Sequence, residues 1–214
     1  MIALHIFSDP ICPWCFIGKA RLDRALEARP NHPFKIEWHP FQLNPDMPAD
    51  GMGRRAYLEA KFGGKDGAVQ AYMPVVKEAE AAGLEIDFDG INRTPNTLNA
   101  HRLIHWAGIE GRQAAAVSKL FKAYFTEGRD IGDPAVLAAI AGEIEMDADM
   151  IARLLASDAD LDDIRARDAD ARAKGVQAVP TFVIANQHVV PGAQPTDLWE
   201  RVIDDITAQL DAPE

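Results

Sequence analysis

The 214-residue chain reads as an α/β fold built from a βαβ opening, a long helical insertion, a further helix and a closing ββα unit. Three observations predict it. Two apolar-alternating runs bracket a helical pattern in the first forty residues, strand signals are absent from about 45 to 157, and they return after Gly175. The expected organisation is a first part over residues 1–44, an inserted all-helical domain over 45–157, and a second part over 158–214.

Residues 2–7, IALHIF, form a short apolar run stopped by the turn signal Ser8-Asp9-Pro10. From Cys12 to about Arg29 the spacing becomes helical, with Cys15, Leu22, Ala25 and Leu26 near one face. Pro13 suits the first helical position, where its missing N–H costs nothing. Pro30 and Pro33 end this segment. In FKIEWHPFQL, 34–43, Phe34, Ile36 and Trp38 alternate with Lys35, Glu37 and His39, the pattern of a half-buried strand.

The insertion carries its own helix starts. Thr94-Pro95 and Asp133-Pro134 each pair a capping residue with proline. Asp147 or Asp149 suits the cap of MIARLLA, and Ser157 or Asp158 that of the acidic helix DADLDDIRARDADARAKG. This last helix reads as a solvated face with Leu161 and Ile164 turned inward. TFVIA (181–185) and HVV (188–190) flank Asn186-Gln187 as a hairpin. Gly192 and Pro195 then lead into an amphipathic helix with Leu198, Val202, Ile206 and Leu210 at regular spacing.

Composition narrows the function. Hydrophobic residues make up 48% of the chain and charged residues 26%, a globular balance with ample core. The formal net charge of -11 repels phosphate backbones and anionic headgroups, so neither nucleic acid nor a membrane is an expected partner. MIALHIF has no basic region before it and is broken by Asp9 and Pro10, so a cytoplasmic location is expected.

Both cysteines lie in SDPICPWCFIGKA, with Pro13 and Trp14 between them. As a structural staple, a Cys12–Cys15 loop would contribute only about 2 kcal/mol. As a metal site the pair lacks a second pair; His5 and His39, on neighbouring strands, would have to complete it, and no metal is expected. A redox role explains more. Cys12 stands at a helix N-terminus, where free N–H groups favour a thiolate, and Cys15 is one turn further in, where it can resolve a mixed disulfide.

Three segments, SDPICPWCFIGKARL, TPNTLNAHRLIHWA (94–107) and VPTFVI…VPGAQP (179–195), resemble the DsbA-like thioredoxin-fold oxidoreductases, most closely the FrnE-type members. The resemblance implies a thioredoxin fold with an inserted helical domain and a thiol–disulfide oxidoreductase acting on protein or small-molecule disulfides. It assigns Cys12 as nucleophile, Cys15 as resolving thiol, and Val179-Pro180 as a cis peptide facing them. No cofactor beyond the redox-active Cys12–Cys15 couple is implied. Protein or peptide thiols and disulfides are the expected partners, with glutathione as a possible co-substrate. Exported members carry a signal peptide and commonly a His before the second cysteine. Here that residue is Trp14, and Lys19 is about 10 Å along the helix from Cys12, too distant to supply its charge. The pair is therefore expected to be less oxidising than in those members.

Two alternatives share the architecture. Hydroxychromene-carboxylate isomerases and kappa-class glutathione transferases have a similar Pro-Trp loop but typically Ser in place of a dithiol cysteine. A non-enzymatic binding module or chaperone would use an apolar groove around Trp14, Phe16 and Pro180. In 94–107, periodicity makes Ala100, Leu103, Ile104 and Ala107 the core stripe and sets Thr97, His101 and His105 on a polar face. The resemblance instead makes Asn96, Thr97 and His101 candidates for a substrate cleft over the dithiol.

Overall fold

The computed structural model describes residues 1–211; positions 212–214 of the expected second part lie outside the described residues. Strand β1 (Ile2–Ser8), helix α1 (Pro13–Ala28) and strand β2 (Phe34–Pro40) form the opening unit. β1 and β2 are parallel, in register from Ile2 opposite Phe34 to Ser8 opposite Pro40. β5 (Thr181–Ile184) lies antiparallel to β1 on its other side, and β6 (His188–Pro191) closes the sheet in the order β2-β1-β5-β6. The β5–β6 turn passes through Ala185 and Asn186, at φ 53° and 58°, the left-handed pair a tight hairpin requires.

Alternation along β1 divides the sheet faces. Leu4 and Ile6 are fully buried, whereas His5 and Phe7 on the opposite face are half-buried. α1 packs beside α9 (Thr196–Asp211), whose Trp199 meets Phe182 edge-on with ring centroids 4.7 Å apart. One apolar core runs from Leu4, Leu22 and Phe182 into the helical region.

The insertion is not wholly helical. Strands β3 (Met52–Gly53) and β4 (Arg93–Thr94) pair antiparallel around α2 (Arg54–Phe62) and α3 (Lys65–Ala81). Thr94 therefore is a strand residue and not a helix cap. A proline holds the residue before it in extended conformation, so Thr-Pro serves a strand end equally well. The next helix, α4 (Leu98–Ile109), starts after Asn96, whose Oδ1 accepts from the Leu98 N–H at 2.9 Å. It is followed by α5 (Gln113–Phe125), α6 (Pro134–Glu143) and α7 (Ala148–Leu155). Asp133 caps α6 through the Ala135 N–H, and Asp147 caps α7 through the Met150 N–H.

The acidic helix, α8 (Leu161–Ala173), begins later than its Ser157 and Asp158 signals indicate. Its entry residue is Asp160, at φ 57°, whose carboxylate accepts from the Trp106 indole at 2.7 Å. This tertiary bond, absent from any local pattern, fixes the start. Nor is α8 only a solvated helix. Besides Ile164, its Asp168 is buried, accepting from the Gln42 N–H at 2.7 Å and from the Arg172 Nε at 2.8 Å.

Candidate active site

Cys12 is the N-cap of α1 and Pro13 its first residue. The extended backbone at Cys12 (φ -85°, ψ 115°) turns its carbonyl into the helix, where it accepts from the Cys15 and Phe16 N–H groups at 3.1 and 3.2 Å. No side chain among the described residues caps this terminus, so its N–H groups stay available to charge developing on Cys12. Both cysteines are free, buried thiols. Their environments differ. Cys12 lines a cavity of about 280 Å³, whereas Cys15 lies behind it. Burial pushes the Cys15 thiol well up, the Cys12 thiol beside it adds to the rise, and the Ser8 side chain and the Asp9 backbone pull against it.

The Val179–Pro180 peptide is cis, and the Cys12 Sγ donates to the Val179 carbonyl at 3.6 Å. The local packing that holds this loop is specific. A Cβ on Gly18 of α1 would stand 3.1 Å from the Pro180 Cγ and 3.4 Å from the Ala193 Cα, so this one residue gives both loops room to approach. The Gly192 N–H donates to the Pro180 carbonyl at 2.8 Å, and Arg21 donates to the Ala193 carbonyl at 2.8 Å. The VPGAQP segment thus braces the proline loop from behind.

Trp14 and Pro13 lie in the wall of the Cys12 cavity, as do Gln177, Ala178 and Val179. The opposite wall comes from the insertion: Arg54, Tyr57, Tyr72, Thr94 and Tyr124. Arg54 is buried, its guanidinium 5.2 Å from the Tyr72 ring centre and 5.6 Å from that of Phe88. Asn96, Thr97 and His101 are not part of this wall. Asn96 ties the insertion together, donating to the Met47 carbonyl at 2.7 Å and accepting from Gln42 at 3.2 Å. Thr97 and His101 are buried, contrary to the polar face that periodicity assigns them. Thr97 donates to the Asp9 carboxylate at 3.4 Å and the Phe41 backbone hydrogen-bonds the His101 ring, both from segments far from α4 in sequence. Burial lowers the His101 pKa to about 4, leaving a neutral imidazole.

Asp9, read in the sequence as part of a turn, is fully buried three residues before Cys12. Its Oδ1 accepts from the Ile11 N–H at 3.2 Å, and its Oδ2 from the Leu43 N–H at 2.7 Å and the Thr97 hydroxyl at 3.4 Å. Burial raises its pKa to about 7 against the lowering effect of those bonds. The available signal was an acid squeezed between an apolar strand and an apolar CPWC loop. His5 and His39 do come together, 2.8 Å apart, but with Glu37 and not with the cysteines.

The comparisons with known proteins agree with this geometry. The chain is 28% identical to a probable DsbA oxidoreductase of Streptomyces coelicolor, with a TM-score of 0.86 over 100% of this chain and 93% of that one. The fold is shared with a 2-hydroxychromene-2-carboxylate isomerase, at 16% identity and a TM-score of 0.74, covering 98% of this chain and 100% of that one. It is shared too with the cytosolic disulfide reductase DsbM of Pseudomonas aeruginosa, solved with glutathione, at 21% identity and a TM-score of 0.71, covering 98% and 100%. The model of the DSBA-like thioredoxin domain matches residues 3–204. With its dithiol at the start of α1 and a cis-proline loop facing it, the chain belongs to the DsbA-like thioredoxin-domain family.

Proposed function

We propose that the protein is a cytoplasmic, FrnE-type thiol–disulfide oxidoreductase that exchanges electrons with protein or small-molecule disulfides through Cys12 and Cys15. The observation that carries this reading is the asymmetry of the pair: Cys12 faces the cavity at a helix N-terminus, and Cys15 is enclosed one turn behind. The Cys12 thiolate attacks one sulfur of a substrate disulfide, forming a mixed disulfide and releasing the other sulfur as a thiolate that takes up a proton. Cys15 then loses its proton and attacks the Cys12 sulfur. The Cys12–Cys15 disulfide forms, the second substrate thiol leaves, and the substrate has gained two electrons. Two molecules of a thiol such as glutathione restore the dithiol and leave as their disulfide.

The enclosed Cys15 sets the difficulty of the second step, because burial disfavours its thiolate. The Ser8 side chain and the Asp9 N–H face its sulfur and offset part of that cost.

Replacement of the two cysteines tests the assignment. Cys12→Ser is expected to abolish reduction of a model protein disulfide, and Cys15→Ser to accumulate mixed disulfides through Cys12, read by mass spectrometry. Adducts through Cys15 would reverse the roles. The fold shared with the chromene-carboxylate isomerase supports a second reading, glutathione-dependent isomerisation or transfer. That chemistry has no use for a resolving thiol. Turnover of hydroxychromene-carboxylate retained in Cys15→Ser would therefore favour it over disulfide exchange.

A further inference from the structure

On the sheet face opposite Leu4 and Ile6, the parallel register sets His5 directly beside Glu37, with His39 two residues further along β2. Since side chains alternate across a strand, all three share that face. His5 Nδ1 lies 2.8 Å from His39 Nε2, and the two Glu37 oxygens lie 3.8 Å from His5 Nδ1 and 3.9 Å from His39 Nε2. One carboxylate oxygen thus faces each imidazole. We propose that His5, Glu37 and His39 bind a divalent transition-metal cation of the zinc class, with a remaining coordination position open to solvent.

The geometry fits without rebuilding the backbone. Zinc bonds of about 2.0–2.1 Å in tetrahedral array require donor atoms roughly 3.4 Å apart. The imidazole pair is closer than that value and each Glu37 oxygen is farther, with one ligand atom from each residue within 4.8 Å of the others, so rotation of the three side chains, Glu37 turning one oxygen inward, brings the donors onto one ion. At 2.8 Å a proton lies between the two imidazole nitrogens. A cation takes its place when the donor ring carries its proton on the other nitrogen, which leaves two lone pairs converging on one point. Two imidazoles and one carboxylate form a donor set suited to zinc and its neighbours rather than to magnesium or calcium.

His5 and His39 open onto a cavity of about 880 Å³ beside α8, which adjoins the one that Cys12 lines through the shared Gln177 and Ala178. Two cations stand at its margin, Arg167 and Lys174, but each has an acidic partner: Asp163 at 3.9 Å and Asp170 at 2.6 Å. Their repulsion of a bound ion is correspondingly reduced. The cavity is large enough for an anionic small molecule to complete the coordination.

The test separates this site from the dithiol, which would itself bind zinc. In the Cys12→Ser/Cys15→Ser protein, a cobalt(II) titration followed by visible absorption is expected to saturate at one equivalent, without sulfur charge-transfer bands. Zinc should displace the cobalt. His39→Ala should remove the signal, and Glu37→Gln, altering a half-exposed side chain, should weaken binding by about tenfold or more. If His39→Ala fails to fold by circular dichroism, His5→Ala and Glu37→Gln decide. The proposal is overturned by an absence of saturable binding, or by affinity that is unchanged in the folded variants.

Discussion

The buried carboxyl of Asp9 should be visible in the pH dependence of stability. Its pKa rises from 3.8 to about 7 on folding, roughly 3 units, each equivalent to about 1.36 kcal/mol. The folded protein therefore holds this proton more tightly than the unfolded chain. That contribution to stability is complete below the unfolded value, declines as pH rises, and has cost about 4 kcal/mol once the folded value is passed. His39 and His101 act in the opposite direction. Their folded values near 4 lie below the usual 6.5, so their contribution is present above 6.5 and lost as pH falls through 4. Comparing the parent with Asp9→Asn cancels the histidines. The amide keeps an acceptor for Ile11 but turns a donor toward the Leu43 N–H, a pH-independent cost of about 1–3 kcal/mol. Denaturant unfolding of both proteins, with the dithiol kept reduced and Trp fluorescence as readout, gives the difference at each pH. Between pH 4 and 8 that difference should move by about 4 kcal/mol in favour of the variant. A difference constant to within about 1 kcal/mol would refute the buried, neutral carboxyl.

Three further changes follow from packing and charge. Gly18→Ala gains about 1 kcal/mol of helix propensity but crowds Pro180, at a cost of about 1–3 kcal/mol, so slower disulfide exchange with equal or lower stability is expected; parent-like rates would remove the argument that Gly18 positions the proline loop. Arg102 is buried and donates to the carbonyls of Leu154, Ser157 and Ala159 at 2.7–2.8 Å. Arg102→Met removes the donor to the Ser157 and Ala159 carbonyls, while the Leu154 carbonyl keeps the Ser157 N–H and hydroxyl, and should cost about 2–5 kcal/mol in denaturant unfolding; a loss below about 1 kcal/mol would contradict the structure. Trp14→His adds a cation beside the pair, which stabilises the reduced thiolate form, so equilibration with glutathione should show a more oxidising couple; an unchanged potential would show that Trp14 is not the tuning position.

The parts legible in the sequence are those whose cause is local. Alternation in Phe34–His39, the proline after Cys12, and the Asp133 and Asp147 caps each depend on residues within one turn or one strand. Asp9 was not legible as a buried acid, because its enclosure comes from Leu43 and Thr97, 34 and 88 positions away. The burial of Asp168 depends in the same way on Gln42, 126 positions back. The cavity wall of Arg54, Tyr72 and Tyr124 drew no attention either, since ordinary polar and aromatic residues acquire meaning only when the insertion folds over Cys12. His101 shows the converse: it keeps its helical spacing, but it is buried beside the Phe41 backbone, which lies on a chain segment the spacing does not mention.

Phe16, the residue after Cys15, stacks on both Phe121 and Phe125 of α5, with 5.4 Å between ring centres in each pair and planes inclined by 18° and 8°. The helix that carries the dithiol is therefore fastened to the insertion one residue beyond the chemistry. A rocking motion of α5 over the sheet would drag the cysteines with it, so this part of the insertion cannot serve as an independent door. The α3 side is tied to the same helix, since Val75, Ala79 and Ala82 gather with Ile17 of α1 in a second apolar cluster, but Val69 and Met73 on its outer side face solvent. A wider entrance is therefore to be had from the Tyr57 and Tyr72 side chains in the cavity wall, whose rotation leaves both helix contacts of α1 and the alignment of the thiols in place. Differences in substrate choice among relatives of this chain should accordingly be sought in α2 and α3, and differences in redox poise in the four residues from Cys12 to Cys15.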